Sequence, residues 1–455
     1  MEKKYPYANG LQGELAFELS ENGNINAEKY TLLEVLGQPE LENLSIDQRI
    51  EIMNSWAGDV IQKGHPFSPK VMNTGCRTEI ELTDRATGTT KSYINFGSND
   101  YLNLSQHPYV TQAAQNALHQ YGGGTGAAGV VIGITDIHDR LQKKIANFKG
   151  TEAALVQSNG YLTNLGTINA LMGPKDLILF DMYSHASLID GVSRSNINKV
   201  FFDHNNMVHL ELMLKRAKND YVNKLIVVEG VYSMDGDIVP LDKVYELAQK
   251  YEAKILVDEA HSTGVIGKTG RGITEHFGLQ GKIDLVTGTF SKSLGSVGGY
   301  VAGKRSLIDY LYWANRSFVF STSMYVPCAA GVLAAFEVIE KEQNRLSELW
   351  DNVEYIKQAA TKLGFDIGTT NSAIIPIILG DENDTMMAYN LLNENGIFCI
   401  PVTYPAVAKG KSRLRISITS KHSREQLNSL IESLVVLNIK LEKNKETRDI
   451  VKEKV

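Results

Sequence analysis

Cysteine is scarce in this chain. Cys76, Cys328 and Cys399 are the only three among 455 residues, odd in number and far apart, so neither a disulfide framework nor a zinc or other metal site is expected, and the reduced thiols of a cytoplasmic protein fit best. A basic excess is missing too. Lys and Arg number 46 against 52 Asp and Glu, a net charge of -6, which leaves no electrostatic footprint for nucleic acid. No apolar run approaches the ~18 residues of a membrane span. The opening Met-Glu-Lys-Lys-Tyr-Pro has none of the apolar core of a secretory signal, and no internal repeat or low-complexity tract interrupts the chain. What remains is an ordinary globular composition, 43% hydrophobic and 22% charged, long enough for a large core and a smaller second domain.

Leu32, Leu33, Val35 and Leu36, then Ile50, Met53, Trp56, Val60 and Ile61, recur at mixed three- and four-residue spacing. They predict two helices between about Ala27 and Lys63, broken at Gly37-Gln-Pro39. Thr78 to Phe96 alternates apolar and polar residues on both sides of Ala86-Thr-Gly-Thr89, as a hairpin would. Residues 1–107 therefore read as an N-terminal helical extension and arm. From 108 to 330, short apolar strands near Leu177, Lys199, Leu225, Ile255 and Leu285 alternate with helical stretches. That pattern predicts the large domain of an α/β protein, a mainly parallel sheet covered on both faces, with ligands at the carboxyl ends of the strands. A long helical run from about Pro327 to Leu363 leads into residues 331–440, where the segments near Ala373, Met386, Phe398, Leu414 and Leu427 predict a small α+β domain. Residues 441–455 read as a charged, frayed tail.

The strongest local signal is Ile255-Leu-Val-Asp258-Glu-Ala-His261-Ser-Thr-Gly, a buried strand ending in a carboxylate with an imidazole three residues on. Asp258 there suits a heterocyclic nitrogen that must stay protonated; equally, it suits a cap on the next turn beside a solvated His261. Downstream, Thr289-Phe-Ser291-Lys292 follows a second buried strand and precedes Gly295, Gly298 and Gly299. A lysine desolvated at a strand end loses its proton more readily than its ordinary value of about 10.4 suggests, which favours imine formation. Thr289 and Ser291 offer hydroxyls to a phosphate, and the glycines let the backbone approach closely.

With Asn99-Asp-Tyr-Leu, Gly124-Thr-Gly-Ala-Ala-Gly, Asp136-Ile-His138, Ser184-His185-Ala-Ser, Glu229-Gly-Val-Tyr-Ser233-Met-Asp-Gly, Phe320-Ser-Thr322-Ser and Arg413-Leu-Arg415 in this order, the chain resembles the α-oxoamine synthases, pyridoxal 5′-phosphate (PLP) enzymes of fold type I with the aspartate aminotransferase architecture. The resemblance runs from about Tyr93 to Leu437. It implies that Lys292 is the imine-forming lysine, Asp258 the partner of the pyridine nitrogen, His261 with Ser233 the partners of the phenolic oxygen, and His185 the imidazole stacked on the ring. Gly160 and Tyr161 would offer backbone N–H groups to the phosphate at a helix start. Thr322 would reach the phosphate of the partner subunit in a homodimer with shared active sites, and would serve as well as a helix N-cap. Arg415, assisted by Asn99, is chosen to grip the substrate carboxylate through two parallel hydrogen bonds. Arg413 is the alternative, because residues two apart on a strand share a face.

The implied reaction joins an amino acid to an acyl thioester, on CoA or carrier protein, with loss of carbon dioxide either on the enzyme or, as in some relatives, in a later spontaneous step. Lys292 would take the α-proton and Asp258 would keep the ring electron-withdrawing. The reading favoured here is a lipid-forming synthase of the serine palmitoyltransferase type, using serine or an analogue such as cysteate. A short-chain synthase of the glycine C-acetyltransferase or 8-amino-7-oxononanoate synthase type is the alternative, and an aminotransferase or non-catalytic partner subunit represents another class. Three departures from the family pattern bear on the substrate: Asn103 where glycine is frequent, Val130-Val-Ile where arginine is frequent, and the long N-terminal extension.

Overall fold

The structure, a computed structural model, describes residues 2–6, 14–63, 68–192, 196–217 and 220–453. At its centre a seven-stranded sheet runs in the order Ala153–Gln157, Gly299–Gly303, Leu285–Thr289, Lys254–Asp258, Lys224–Glu229, Leu177–Asp181 and Asn198–Phe202. Neighbours are parallel except at Gly299–Gly303, which is antiparallel to both of its partners. Helices cover both faces, so the inner strands read as continuous apolar runs without alternation, and Lys224–Glu229 is buried at every position. Their polarity is held back to the carboxyl edge. Asp181, Glu229, Asp258 and Thr289 are each the last residue of a strand.

The five strands from Leu177–Asp181 to Leu285–Thr289 lie where the apolar runs predict them, whereas Ala153–Gln157 and Gly299–Gly303 are not expected as strands. The glycines of the second of these are required by contact: a Cβ on Gly299 would sit 2.7 Å from the Gly160 Cα. The helical run after Pro327 is two helices, Val326–Lys341 and Asn344–Lys362, parted at Glu342-Gln343.

The N-terminal extension is not wholly helical. Glu2–Pro6 pairs with Glu14–Glu18 as an antiparallel ladder, then come the helices Leu32–Leu36 and Ile46–Gln62, the second opened by a Ser45–Gln48 capping box. Phe17, Ile25, Val35, Leu41, Leu44 and Ile52 give this segment a core of its own. The hairpin Glu79–Asp84 and Thr90–Asn95 forms as expected, but its second strand also pairs with Ile397–Phe398, so the arm and the C-terminal region share one sheet. A separate three-stranded sheet, Ile374–Gly380, Ser412–Ser417 and Ile400–Val402, carries Arg413 and Arg415 on its central strand. The tail expected to fray from 441 instead continues the helix Arg424–Glu453, with Leu441 buried. Among the described residues no helix is long and apolar enough to cross a membrane.

Candidate active site

A cavity of about 540 Å³ opens at the carboxyl edge of the central sheet. Gly160, Tyr161, His185, Asp258, His261, Thr289, Ser291 and Lys292 all line it. Residues more than a hundred positions apart are gathered there because parallel strands end together.

Lys292 Nζ lies 2.7 Å from His261 Nε2. Desolvation pulls the ammonium down to about 8, with the charges of Asp258 and Glu229 opposing and that of Arg415 assisting. Burial likewise holds His261 well below the usual imidazole range, so its ring is neutral. The Asp258 carboxylate accepts from the Asn164 side-chain amide at 2.7 Å and from the Ala260 N–H at 2.8 Å. Both oxygens are thus fixed while the group faces the cavity. Glu229 stands opposite Asp258 in the ladder; burial, then the Asp258 charge, pushes its carboxyl up to about 8, and it accepts the backbone N–H of His185. The His185 ring caps its own short helix by accepting from the Ser187 N–H at 3.2 Å. Burial lowers its pKa despite Asp258, so Nδ1 is the acceptor and Nε2 carries the proton.

On the opposite wall the helix Gly160–Leu171 begins, capped by Asn159, whose side chain accepts from the Leu162 N–H at 2.8 Å. Gly160 sits so close to the neighbouring strand that a Cβ on it would lie 2.8 Å from the Thr289 Cβ. The amides of Gly160 and Tyr161 therefore share one wall of the cavity with the hydroxyls of Thr289 and Ser291, themselves 2.9 Å apart, at the positive end of a helix. An anion-binding end, a carboxylate positioned for a protonated ring nitrogen, and a lysine of lowered pKa between them fit PLP. The side-chain oxygen of Asn164 is buried without a partner, and the cavity volume lies within the roughly 300–1,000 Å³ typical of small-molecule sites.

Arg413 and Arg415 are each 3% exposed and reach toward the same loop, as alternation requires. Their partners differ. Arg413 Nη1 is paired with the Asp235 carboxylate at 2.5 Å. Arg415 has no acidic partner among the described residues: Nε donates to the Ser233 carbonyl at 2.5 Å, Nη1 to Ser417 Oγ at 2.9 Å and Nη2 to Asn99 Oδ1 at 3.0 Å. Ser233, like Asn99, Arg413 and Arg415, is not on the cavity wall; its backbone, not its hydroxyl, is engaged with Arg415. Thr322 is exposed, bridged to Ala128 and absent from the cavity wall of its own chain. Asn164 and Glu229 line the cavity although sequence reasoning gave neither a role. Asn164 stands one helical turn after Gly160, and Glu229 opens a motif in which Ser233 drew the attention.

The sequence matches the family described as aminotransferase class I and II over residues 91–434. It is 41% identical over 364 residues to 4-hydroxy-2,2′-bipyrrole-5-methanol synthase PigH of a Serratia species, across 80% of this chain but only 56% of PigH, so the chain spans little more than half of that relative. With 8-amino-7-oxononanoate synthase of Alkaliphilus metalliredigens it shares 42% identity over 342 residues, 75% of this chain and 87% of the other. Serine palmitoyltransferase from S. paucimobilis, solved with PLP and myriocin bound, superposes with a TM-score of 0.81 at 31% identity, across 88% of this chain and 99% of that one.

Proposed function

The chain belongs to the α-oxoamine synthases of the class I and II aminotransferase family, which are PLP-dependent enzymes, and from that premise we propose that it condenses a small L-amino acid with an acyl thioester, releasing thiol and carbon dioxide and leaving an α-amino ketone. Lys292 would hold PLP, with Asp258 at its pyridine nitrogen, His261 at its phenolic oxygen, His185 against its ring, and Gly160, Tyr161, Thr289 and Ser291 at its phosphate. When bound, PLP withdraws electrons from the amino acid's α-carbon.

The chain's own groups do the rest. Arg415, with Asn99, takes the amino acid's carboxylate in paired charged hydrogen bonds and so turns the Cα–H bond toward Lys292. Lys292 Nζ, with its pKa lowered to about 8, accepts that proton near neutral pH. The neutral His261 ring accepts a hydrogen bond from the lysine and keeps it pointed into the cavity. The observation that carries the reading is the buried guanidinium of Arg415 with no carboxylate of its own, beside an Arg413 already paired with Asp235.

For the substrate pair, serine or an analogue such as cysteate with a long acyl chain is one reading, supported by the superposition with serine palmitoyltransferase over most of both chains. The second is condensation of the 8-amino-7-oxononanoate synthase type, favoured by the 42% identity. Thr322, exposed and remote from its own cavity, would complete the site of a second subunit in a homodimer. The three unpaired cysteines accord with a cytoplasmic enzyme. Thiol release from a panel of amino acids and acyl donors of graded length, on CoA and on carrier protein, tests the proposal. Serine or cysteate with long chains supports the first reading and a small amino acid with shorter acyl donors the second, while no thiol release from any pair overturns both.

A further inference from the structure

Three strands whose carboxyl ends carry Glu229, Asp258 and Thr289 begin, at the far edge of the sheet, with Lys224, Lys254 and Leu285. A second cavity of about 290 Å³ opens at that edge, separate from the catalytic one, and Lys304 and Ser306 join its wall. Its floor is apolar, built from Leu171, Met172, Leu285 and Leu307. The three lysines are not equivalent. Lys254 is paired with Asp284 at 2.8 Å, and Lys304 is exposed. Lys224 is only 8% exposed, and among the described residues no carboxylate or other acceptor meets its ammonium.

The stem of Lys224 is packed while its ammonium opens onto the cavity, where a cation standing beside apolar surface is offered to an anionic ligand. The helix Arg305–Ala314 starts at the same rim, but its first N–H, that of Arg305, is taken by the Glu152 carboxylate at 2.9 Å, so the lysines and not the helix end supply the positive field of the cavity. Ser306 and Leu307 are the first-turn residues on the cavity wall. Asp284, the one acidic side chain of the wall, is already bound to Lys254.

We propose that this cavity binds a small amphipathic carboxylate, its anionic end on Lys224 and its apolar chain over the leucine floor. An inorganic anion would satisfy Lys224 but leave the apolar floor uncovered, and a neutral apolar molecule would cover the floor but strand the ammonium. The volume, at the lower edge of small-molecule sites, suits a medium-chain acid and is too small for a nucleotide.

Calorimetric titration of the holoenzyme with sodium octanoate tests this, with inorganic phosphate and octanol as controls. Octanoate binds at one equivalent per chain and more tightly than either control; Lys224→Met weakens it at least about tenfold, the scale of a lost charged hydrogen bond, without altering PLP absorbance or turnover. Lys304→Glu, at an exposed position, weakens it several-fold and serves should Lys224→Met fail to fold. Octanoate affinity unchanged by Lys304→Glu or by a folded Lys224→Met overturns the proposal, as does phosphate binding as tightly as octanoate or no octanoate binding at all.

Discussion

Lys292 Nζ and Arg415 Nη2 are the two ends of one chain of hydrogen bonds. The lysine meets His261 Nε2 at 2.7 Å, His261 Nδ1 meets the Tyr101 hydroxyl at 2.8 Å, that hydroxyl meets Asn99 Oδ1 at 3.1 Å, and Arg415 meets the same oxygen at 3.0 Å. Because the His261 ring is neutral, Nε2 accepts from the lysine, so the Nδ1–H donates to the Tyr101 oxygen and the Tyr101 O–H passes on to Asn99. The group that moves the proton and the group that grips the carboxylate are thus held in one frame.

Tyr101→Phe breaks this chain in its middle and leaves the Nδ1–H of His261 buried without an acceptor, at a cost of about 1–3 kcal/mol. We expect kcat to fall by about tenfold, with the amino-acid KM raised through Asn99 and the acyl-donor KM unchanged. Steady-state kinetics against each substrate in turn check this; kinetics like wild type would mean that the chain is incidental.

Arg415→Lys keeps the charge but loses the paired geometry, and the amino acid should bind more weakly by about 2 kcal/mol, with turnover reduced as well. Arg413→Lys, still able to pair with Asp235, should retain amino-acid affinity. Amino-acid titrations followed by the change in PLP absorbance separate the two, and the reverse pattern would exchange their roles.

His204 lies between Asp181 and Asp237, at 2.9 and 2.8 Å. Burial lowers its pKa, but hydrogen bonds to both carboxylates, then their charges, outweigh that and raise it to about 9. A folded-state value above the unfolded one of 6.5 means stabilisation that is complete below about pH 6.5 and lost as pH rises through about 9. Thermal melts across that window should show a decline in wild type that His204→Gln lacks, the variant being less stable at the acid end.

Asn103 occupies the left-handed region at φ 53°, where glycine is free of strain and asparagine tolerated. Asparagine in place of the glycine that the family resemblance leads one to expect is thus a backbone matter and carries no argument for a different substrate. Asn103→Gly should leave stability and substrate preference unchanged, whereas Asn103→Val should destabilise by about 1–2 kcal/mol, as denaturant melts would show.

The strands ending at Asp181, Glu229, Asp258 and Thr289 and the cavity's contiguous motifs were legible in the sequence because each of these strands is a short apolar run that ends on a polar residue, whereas Ala153–Gln157 and Gly299–Gly303 did not stand out as strands. Relations made in three dimensions were not. Nothing local says that Asn164 reaches Asp258 across 94 positions, or that Glu229 lies beside Asp258 in the ladder. The choice between Arg413 and Arg415 is invisible to alternation and turns on Asp235, far away in the chain. The ladder of Glu2–Pro6 and Glu14–Glu18 escaped notice because each strand is five residues long and takes its stability from packing on the helices that follow.

The most direct test of the condensation is the stoichiometry of the two small products. Holoenzyme given the best pair from the substrate panel, with the amino acid labelled in its carboxyl group, should release one carbon dioxide for each thiol, and Lys292→Ala should release neither. Thiol released with neither carbon dioxide nor consumption of the amino acid would be simple thioester hydrolysis, and conversion of the amino acid to a keto acid without thiol release would be transamination; either result contradicts the function proposed here.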